Sequence, residues 1–323
     1  MLKFSVGLFL RSVAILFISF TLIFLIIRGL GDPTHMLLGQ RADQTSLEMI
    51  RAQLHLDEPL WKQYLLSWAD WLPYRKGEWR TPSLGLSYQY GRSVWDLYAE
   101  RFPATLLLGS LAMTLAGIMG VTLGLWHSLY PSVLMRSFAL FLIALPGYVV
   151  GIFLIWLFAL KLRSWTGLSP SGYIATYDPV CECIIYRWKM VILPAVALAL
   201  RPAAYLFLLT SEQAKAILNA DYIRTARAKG KPLYRTLCQD VLRNLLPSLF
   251  ISISQWLAGI LTGAIFIEEL FDWPGVGKLL FSAVMSSDFP LLVGIAQLST
   301  LIFIILHAFS EVLSRWSDPR LRT

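Results

Sequence analysis

A succession of apolar runs constrains this chain more than any other feature. They begin near Ser12, Ala104, Arg136, Val191, Leu249 and Leu291, and several reach the roughly 20 residues that carry a helix across a bilayer core. The rest of the sequence agrees. Of 323 residues, 56% are hydrophobic and only 15% charged, where a soluble domain carries about 25% charge. The class is a polytopic α-helical membrane protein. In such a chain the net charge of +8 reads as topology, because basic residues gather on the cytoplasmic side, and not as nucleic-acid binding.

Lys3 and Arg11 flank the first run on its N-terminal side, and Phe9 and Leu10 extend it. Arg11 can snorkel to the interface. No small-residue cleavage pattern follows, so the run reads as a retained span with the N-terminus inside. A polar extracytoplasmic domain is expected over residues 29–102. Thr45 or Ser46 can cap a helix there, and Pro59 opens another. Trp61, Trp68, Trp71, Trp79 and Trp95 suit a segment beside the membrane interface; an aromatic ligand is the alternative.

The core, residues 103–323, is expected to hold five more spans, at about 103–127, 136–160, 190–210, 247–267 and 290–313. Ala112, Ala116, Gly120 and Gly124 recur every four residues, a small-residue stripe that lets another helix approach closely. Pro146-Gly147 predicts a kink or opening in the third span, a feature that often lines a pathway. Arg201 stands before Pro202 near the centre of the fourth span. A central arginine is costly in lipid, so it must face protein or water: a pathway residue, or an anchor for carbonyls freed by Pro202. Gly259 and Gly263 form a G-x-x-x-G suited to a partner subunit's helix. The excess of Lys and Arg over residues 211–246 makes that loop cytoplasmic, and Arg315, Arg320 and Arg322 place the C-terminus inside as well.

Chemistry of its own is scarce. There is no phosphate-binding Gly-Lys-Ser/Thr loop, no H-E-x-x-H and no G-x-S-x-G. No catalytic residue and no metal ligand is assigned. Cys181 and Cys183 form a C-x-C pair available to a soft metal, but with no His or further Cys nearby they read as incidental thiols. The spans hold almost no carboxylates for a proton relay. A transporter built this way needs an external motor.

The segment Asp221-Tyr222-Ile223-Arg224-Thr225-Ala226-Arg227-Ala228-Lys229-Gly230, continued by Asn244 and Pro247, looks like a short helix stopped at Gly230, with Pro247 in the first turn of the next helix. It resembles the coupling loop of ABC importer permeases of the dipeptide/oligopeptide/nickel family. Further stretches carry the same resemblance. They are Gly31-Asp32-Pro33, Leu56-Asp57-x-Pro59-Leu60, Leu84-Gly85-Leu86-Ser87, Ile267-Glu268 through Gly277, Asp288-Phe289-Pro290 and Asp318-Pro319-Arg320. Departures are His55 for a usual Gly, Pro82-Ser83 for Gly-Asp, and Leu208, Ser211, Ala216 and Asp240 for charged or His positions.

The resemblance implies an all-α permease of the type I importer fold, with six transmembrane helices and both termini cytoplasmic in a bacterial inner membrane. It implies a homologous permease partner, two ABC ATPases that hold ATP and magnesium, and an extracytoplasmic solute-binding protein. No cofactor would sit on this chain. Tyr222, Arg224, Thr225, Ala226, Arg227, Lys229, Gly230, Asn244 and Pro247 would contact the ATPase. Arg201, Pro146 and Gly147 are pathway candidates. Glu268, Phe271, Pro274, Gly275 and Gly277 are candidates to face the binding protein. The implied solute is a peptide, with nickel, haem or another small solute as alternatives. A membrane-embedded enzyme using Arg201 and the Cys pair, or an ion channel, are the competing readings from other classes.

Overall fold

The computed structural model describes residues 2–29, 57–71, 74–75, 78–79, 84–170, 175–178, 183–186 and 188–317. Gly31-Asp32-Pro33, the proposed cap at Thr45 or Ser46, Cys181 and Asp318-Pro319-Arg320 lie outside the described residues. The chain divides into two compact units, 1–102 with 279–301, and 103–278 with 302–323.

In the first unit, α1 (Leu2–Gly29) pairs with α2 (Leu60–Trp71). Pro59 opens α2 as the sequence predicts, its carbonyl accepting from the amides of Lys62 and Gln63. Aromatic packing holds the pair: Trp68 lies against Phe20 and Phe17, with ring centroids 4.3 and 5.8 Å apart. The Thr21 and Tyr64 hydroxyls are 2.7 Å apart. Trp68 therefore serves as a packing residue, whereas Trp61 and Trp95 stay exposed.

The turn over residues 84–93 is tied to the start of the last helix. Asp288 is buried and accepts from the Ser87 hydroxyl at 2.5 Å, the Gln89 amide at 3.1 Å and the Leu291 amide at 3.2 Å. It is the N-cap of that helix. Two motifs about 200 residues apart in sequence thus form one cluster.

The second unit is built on a long helix, α3 (Val94–Leu129), and on α7 (Lys189–Leu218). The small-residue stripe does what the spacing predicts. Ala112 and Ala116 are fully buried against Ala199, Ala203 and Leu206. A β-carbon on Gly120 would come within 2.7 Å of the Ala203 carbonyl oxygen, and one on Gly124 within 2.6 Å of Thr210 Cβ. The polar end of this contact is sealed by His127, whose Nδ1 lies 2.7 Å from Ser211 Oγ and whose Nε2 lies 3.1 Å from the Ser132 carbonyl oxygen. A ring nitrogen facing a carbonyl must donate, so Nδ1 accepts from the serine.

Pro146 breaks the third apolar run. The chain turns by 106° between α4 (Val133–Ala144) and α5 (Gly147–Leu154), and α5 runs on through a π-helical turn to Lys161. A short helix, α6 (Arg163–Thr166), follows.

Several expectations need correction. The helices overrun the apolar windows: α3 starts near 94 instead of 103, and α7 continues to 218 instead of ending at 210. Polar residues extend a helix freely once they leave the bilayer, so an apolar window marks lipid depth and not helix length. Pro247 is not in a first turn. A short helix, α9 (Leu233–Arg235), and a π-helical turn over Thr236–Val241 feed directly into α10 (Leu242–Gly263), which places the proline in the helix interior. The all-α class stands, with small β exceptions in the connecting segments. Two short antiparallel pairs are present, Tyr74–Arg75 with Glu78–Trp79, and Ala175–Asp178 with Cys183–Tyr186. Thr176, Tyr177, Ile184 and Ile185 are good strand formers in the polar segment between the third and fourth expected spans.

Among the described residues, three helices are long and apolar enough to cross a bilayer: Val94–Leu129, Lys189–Leu218 and Phe289–Val312. The bent pair makes a fourth if it is one span. For α1 and α10 the assignment rests on sequence alone. The surroundings of α1 fit lipid, since its Leu10, Ile18, Leu22 and Ile26 are all exposed.

Candidate functional site

Three places in the second unit gather the residues singled out by sequence, and they use charge differently. The first is the basic loop. α8 (Asp221–Ala228) is eight residues long and starts with Asp221, favourable at a helix N-terminus. Gly230 ends it with φ of +86°, a left-handed conformation that costs glycine nothing.

One side chain seats this helix. Ile223 is fully buried, worth about 1.5–3 kcal/mol of apolar burial. Tyr222, Arg224, Thr225, Arg227 and Lys229 are exposed, and Ala226 is half-buried. Behind them, Asn244 Nδ2 donates to the Asp240 carbonyl at 2.7 Å and to the Tyr222 hydroxyl at 3.4 Å, and Lys231 pairs with Asp240 at 2.7 Å. Asp240 thus steadies the turn beneath the helix. Arg227 and Lys229 carry no ion pair among the described residues, and Arg224 has only the exposed Asp221, at 3.7 Å.

The second place is a cavity of about 300 Å³ where two of the three pathway candidates, Gly147 and Arg201, converge; Pro146 is not in its lining. Gly147 lines it from the start of α5, directly after Pro146, and Arg201 with Pro202 line it from α7. Trp256 and Gly259 come from α10, and Phe266 from α11 (Ile265–Leu270). Pro202 has no N–H to donate to the Leu198 carbonyl, and Leu198 also lines the cavity. Arg201 remains exposed and has no carboxylate or hydrogen-bond partner among the described residues. Among the described residues it makes no hydrogen bond to a carbonyl freed by Pro202. Sequence reading missed Tyr148, Trp256 and Phe266 as cavity residues, since single aromatics in apolar runs carry no local signal.

The third place is the loop around Glu268, and here the geometry overturns part of the expectation. Glu268 and Phe271 are buried, as is Gly275, so these residues do not face outward. Glu268 Oε1 accepts from the Thr105 hydroxyl at 2.7 Å, and Oε2 accepts from the Lys278 amide at 3.1 Å. The Gly277 amide donates to the same carboxyl. Thr105 in turn accepts from the Val276 amide at 2.8 Å, and the Trp273 indole donates to the Ala104 carbonyl at 3.0 Å.

Gly275 lies directly on the Glu268 carboxylate, leaving no room for a β-carbon, and a β-carbon on Gly277 would come within 2.8 Å of Ile265 Cα. Burial pushes the Glu268 carboxyl above its ordinary value, opposed by the Thr105, Lys278 and Gly277 hydrogen bonds. The motif is a clamp that closes the loop on itself. Pro274 and Gly277 are half-buried, and the exposed carboxylate of this segment is Glu269.

Comparison with known proteins agrees with this architecture. Residues 113–323 match the family model described as "Binding-protein-dependent transport system inner membrane component". Residues 1–109 match "Binding-prot-dependent transport system membrane comp, N-term". The glutathione transport system permease protein GsiC of Escherichia coli K12 is 31% identical over 327 residues, covering 100% of this chain and 99% of that protein. The same-named protein of Shigella boydii is 30% identical over the same coverage. Among solved structures, the MetNI methionine ABC transporter in an inward-facing conformation aligns with a TM-score of 0.55 at 12% identity. That alignment covers 69% of this chain and 97% of the transporter chain, a likeness of fold. Sequence motifs, helical architecture and family models converge: the chain belongs to the family of inner-membrane components of binding-protein-dependent transport systems, the permease subunits of ABC transporters.

Proposed function

We propose that this chain is one of two homologous permease subunits of an ATP-driven importer for peptide-like solutes, with six spans and both termini in the cytoplasm. α8 carries this reading: a short cationic helix, seated by one buried isoleucine and otherwise presented outward. Such a helix is suited to a cleft on a separate ATPase. Two ATPases binding ATP and magnesium would close on two such helices and rock the spans between inward- and outward-open states, as rigid-body alternating access requires. Arg201, Pro146 and Gly147 would line the route. A binding protein would meet the exposed edge of the Glu268 loop, at Glu269 and Pro274, while the clamp holds that edge in shape. The glutathione permeases among the relatives favour a peptide-like cargo over nickel or haem.

Co-purification of the intact complex from membranes tests the docking role. Arg227→Glu and Gly230→Trp are each expected to release the ATPase subunits while the permease stays in the membrane. Retention of the ATPases by both variants overturns the assignment of α8.

A further inference from the structure

The cavity at Arg201 has a composition that selects for one kind of cargo, and this inference rests on the permease reading above. Arg201 is its single formal charge, and no carboxylate lines it. The remaining walls are aromatic or small. Tyr148 and Phe266 lie with ring centroids 6.1 Å apart. Trp256 also lines it, its ring tilted against Tyr205 with centroids 5.9 Å apart. A β-carbon at Gly147 or at Gly259 would meet nothing within 4 Å. Both glycines therefore hold space open; neither is required by helix packing inside this chain.

A guanidinium left without a partner at the middle of a membrane helix is costly, and the cost is relieved when an anion arrives. The planar fork suits a carboxylate, which it can hold through two parallel N–H···O bonds. Aromatic walls take the apolar and amide parts of a small organic solute without competing for the charge. A divalent metal cation is the wrong sign for this site.

We infer that Arg201 is the contact for a free carboxylate on the transported solute, and that the cavity takes carboxylate-bearing peptides while discriminating against their neutral or cationic counterparts. Gly147 and Gly259 set how large a side chain may accompany the carboxylate. Arg201 is thus a specificity-determining residue within the permease, independent of the choice made by a binding protein.

Uptake by cells expressing the whole transporter tests this with three labelled probes: trialanine, trialanine amide and glutathione. Arg201→Gln should lower uptake of the two carboxylate probes about tenfold, the worth of one charge-assisted contact, and leave the amide unchanged. Arg201→Lys, which keeps the charge without the fork, should fall between. Gly259→Ala serves as a second variant that favours helix formation; it should slow glutathione more than trialanine. Equal loss of acid and amide in Arg201→Gln, or no loss of either, overturns the inference while leaving the permease reading intact. Uptake of all three probes that is insensitive to deletion of the chain overturns both.

Discussion

The Glu268 loop and the α8 helix are both short charged segments that join long helices, and both carry motifs legible in the sequence. They use their charge in opposite ways. At Glu268 the ionisable group is drawn inside and met by Thr105 and the amides of Gly277 and Lys278. At α8 the apolar Ile223 is drawn inside and the cations are left out. A polar group saturated within its own chain has nothing left to offer a partner, and a cation left unsaturated has everything to offer. Motif strength alone does not separate these cases, because an inward clamp and an outward cationic helix constrain residue identity equally.

Substitutions can break this contrast. The largest effect is expected from Glu268→Ala, which strands three donors in a closed loop and should cost about 3 kcal/mol or more of stability. Thermal unfolding of the purified chain in detergent measures it. Arg227→Glu, by contrast, should leave the melting temperature unchanged while abolishing ATPase association. Equal destabilisation by both variants would erase the distinction drawn here.

Next in size is Ile223→Ala. Removing the only buried anchor of α8 should cost about 2 kcal/mol, felt locally. Hydrogen exchange over residues 221–229 should accelerate, and ATPase capture should weaken although every cation is retained. Unchanged exchange would mean that another contact seats the helix.

The smallest effect sharpens the other half of the comparison. Burial raises the Glu268 carboxyl above its ordinary value of 4.5, so the folded state holds its proton more tightly than the unfolded state does. Its contribution to stability is fully present below the unfolded value and is lost as pH rises through the folded value. Glu268→Gln cannot titrate. It should flatten the pH dependence of unfolding just above the ordinary carboxyl range, and a slope identical to that of the natural chain would contradict this account.

The apolar runs determined the class of the protein, because only lipid-facing or deeply buried helices tolerate such length without charge. The four-residue spacing of Ala112, Ala116, Gly120 and Gly124 determined that one face of α3 packs closely. Pro146-Gly147 determined the break, and Gly230 the end of α8. Each of these is a local property, readable from spacing and backbone chemistry.

Only the tertiary structure decided what depends on residues distant in sequence. It turned Glu268 inward onto Thr105, joined Ser87 to Asp288, and set His127 against Ser211. It also gathered Gly147, Arg201, Trp256 and Gly259 around one cavity, and left the arginine there without a partner among the described residues. Whether a charged side chain is satisfied or waiting is settled by which atoms lie within about 3 Å of it, and helix packing brings those atoms from parts of the chain that no local pattern connects.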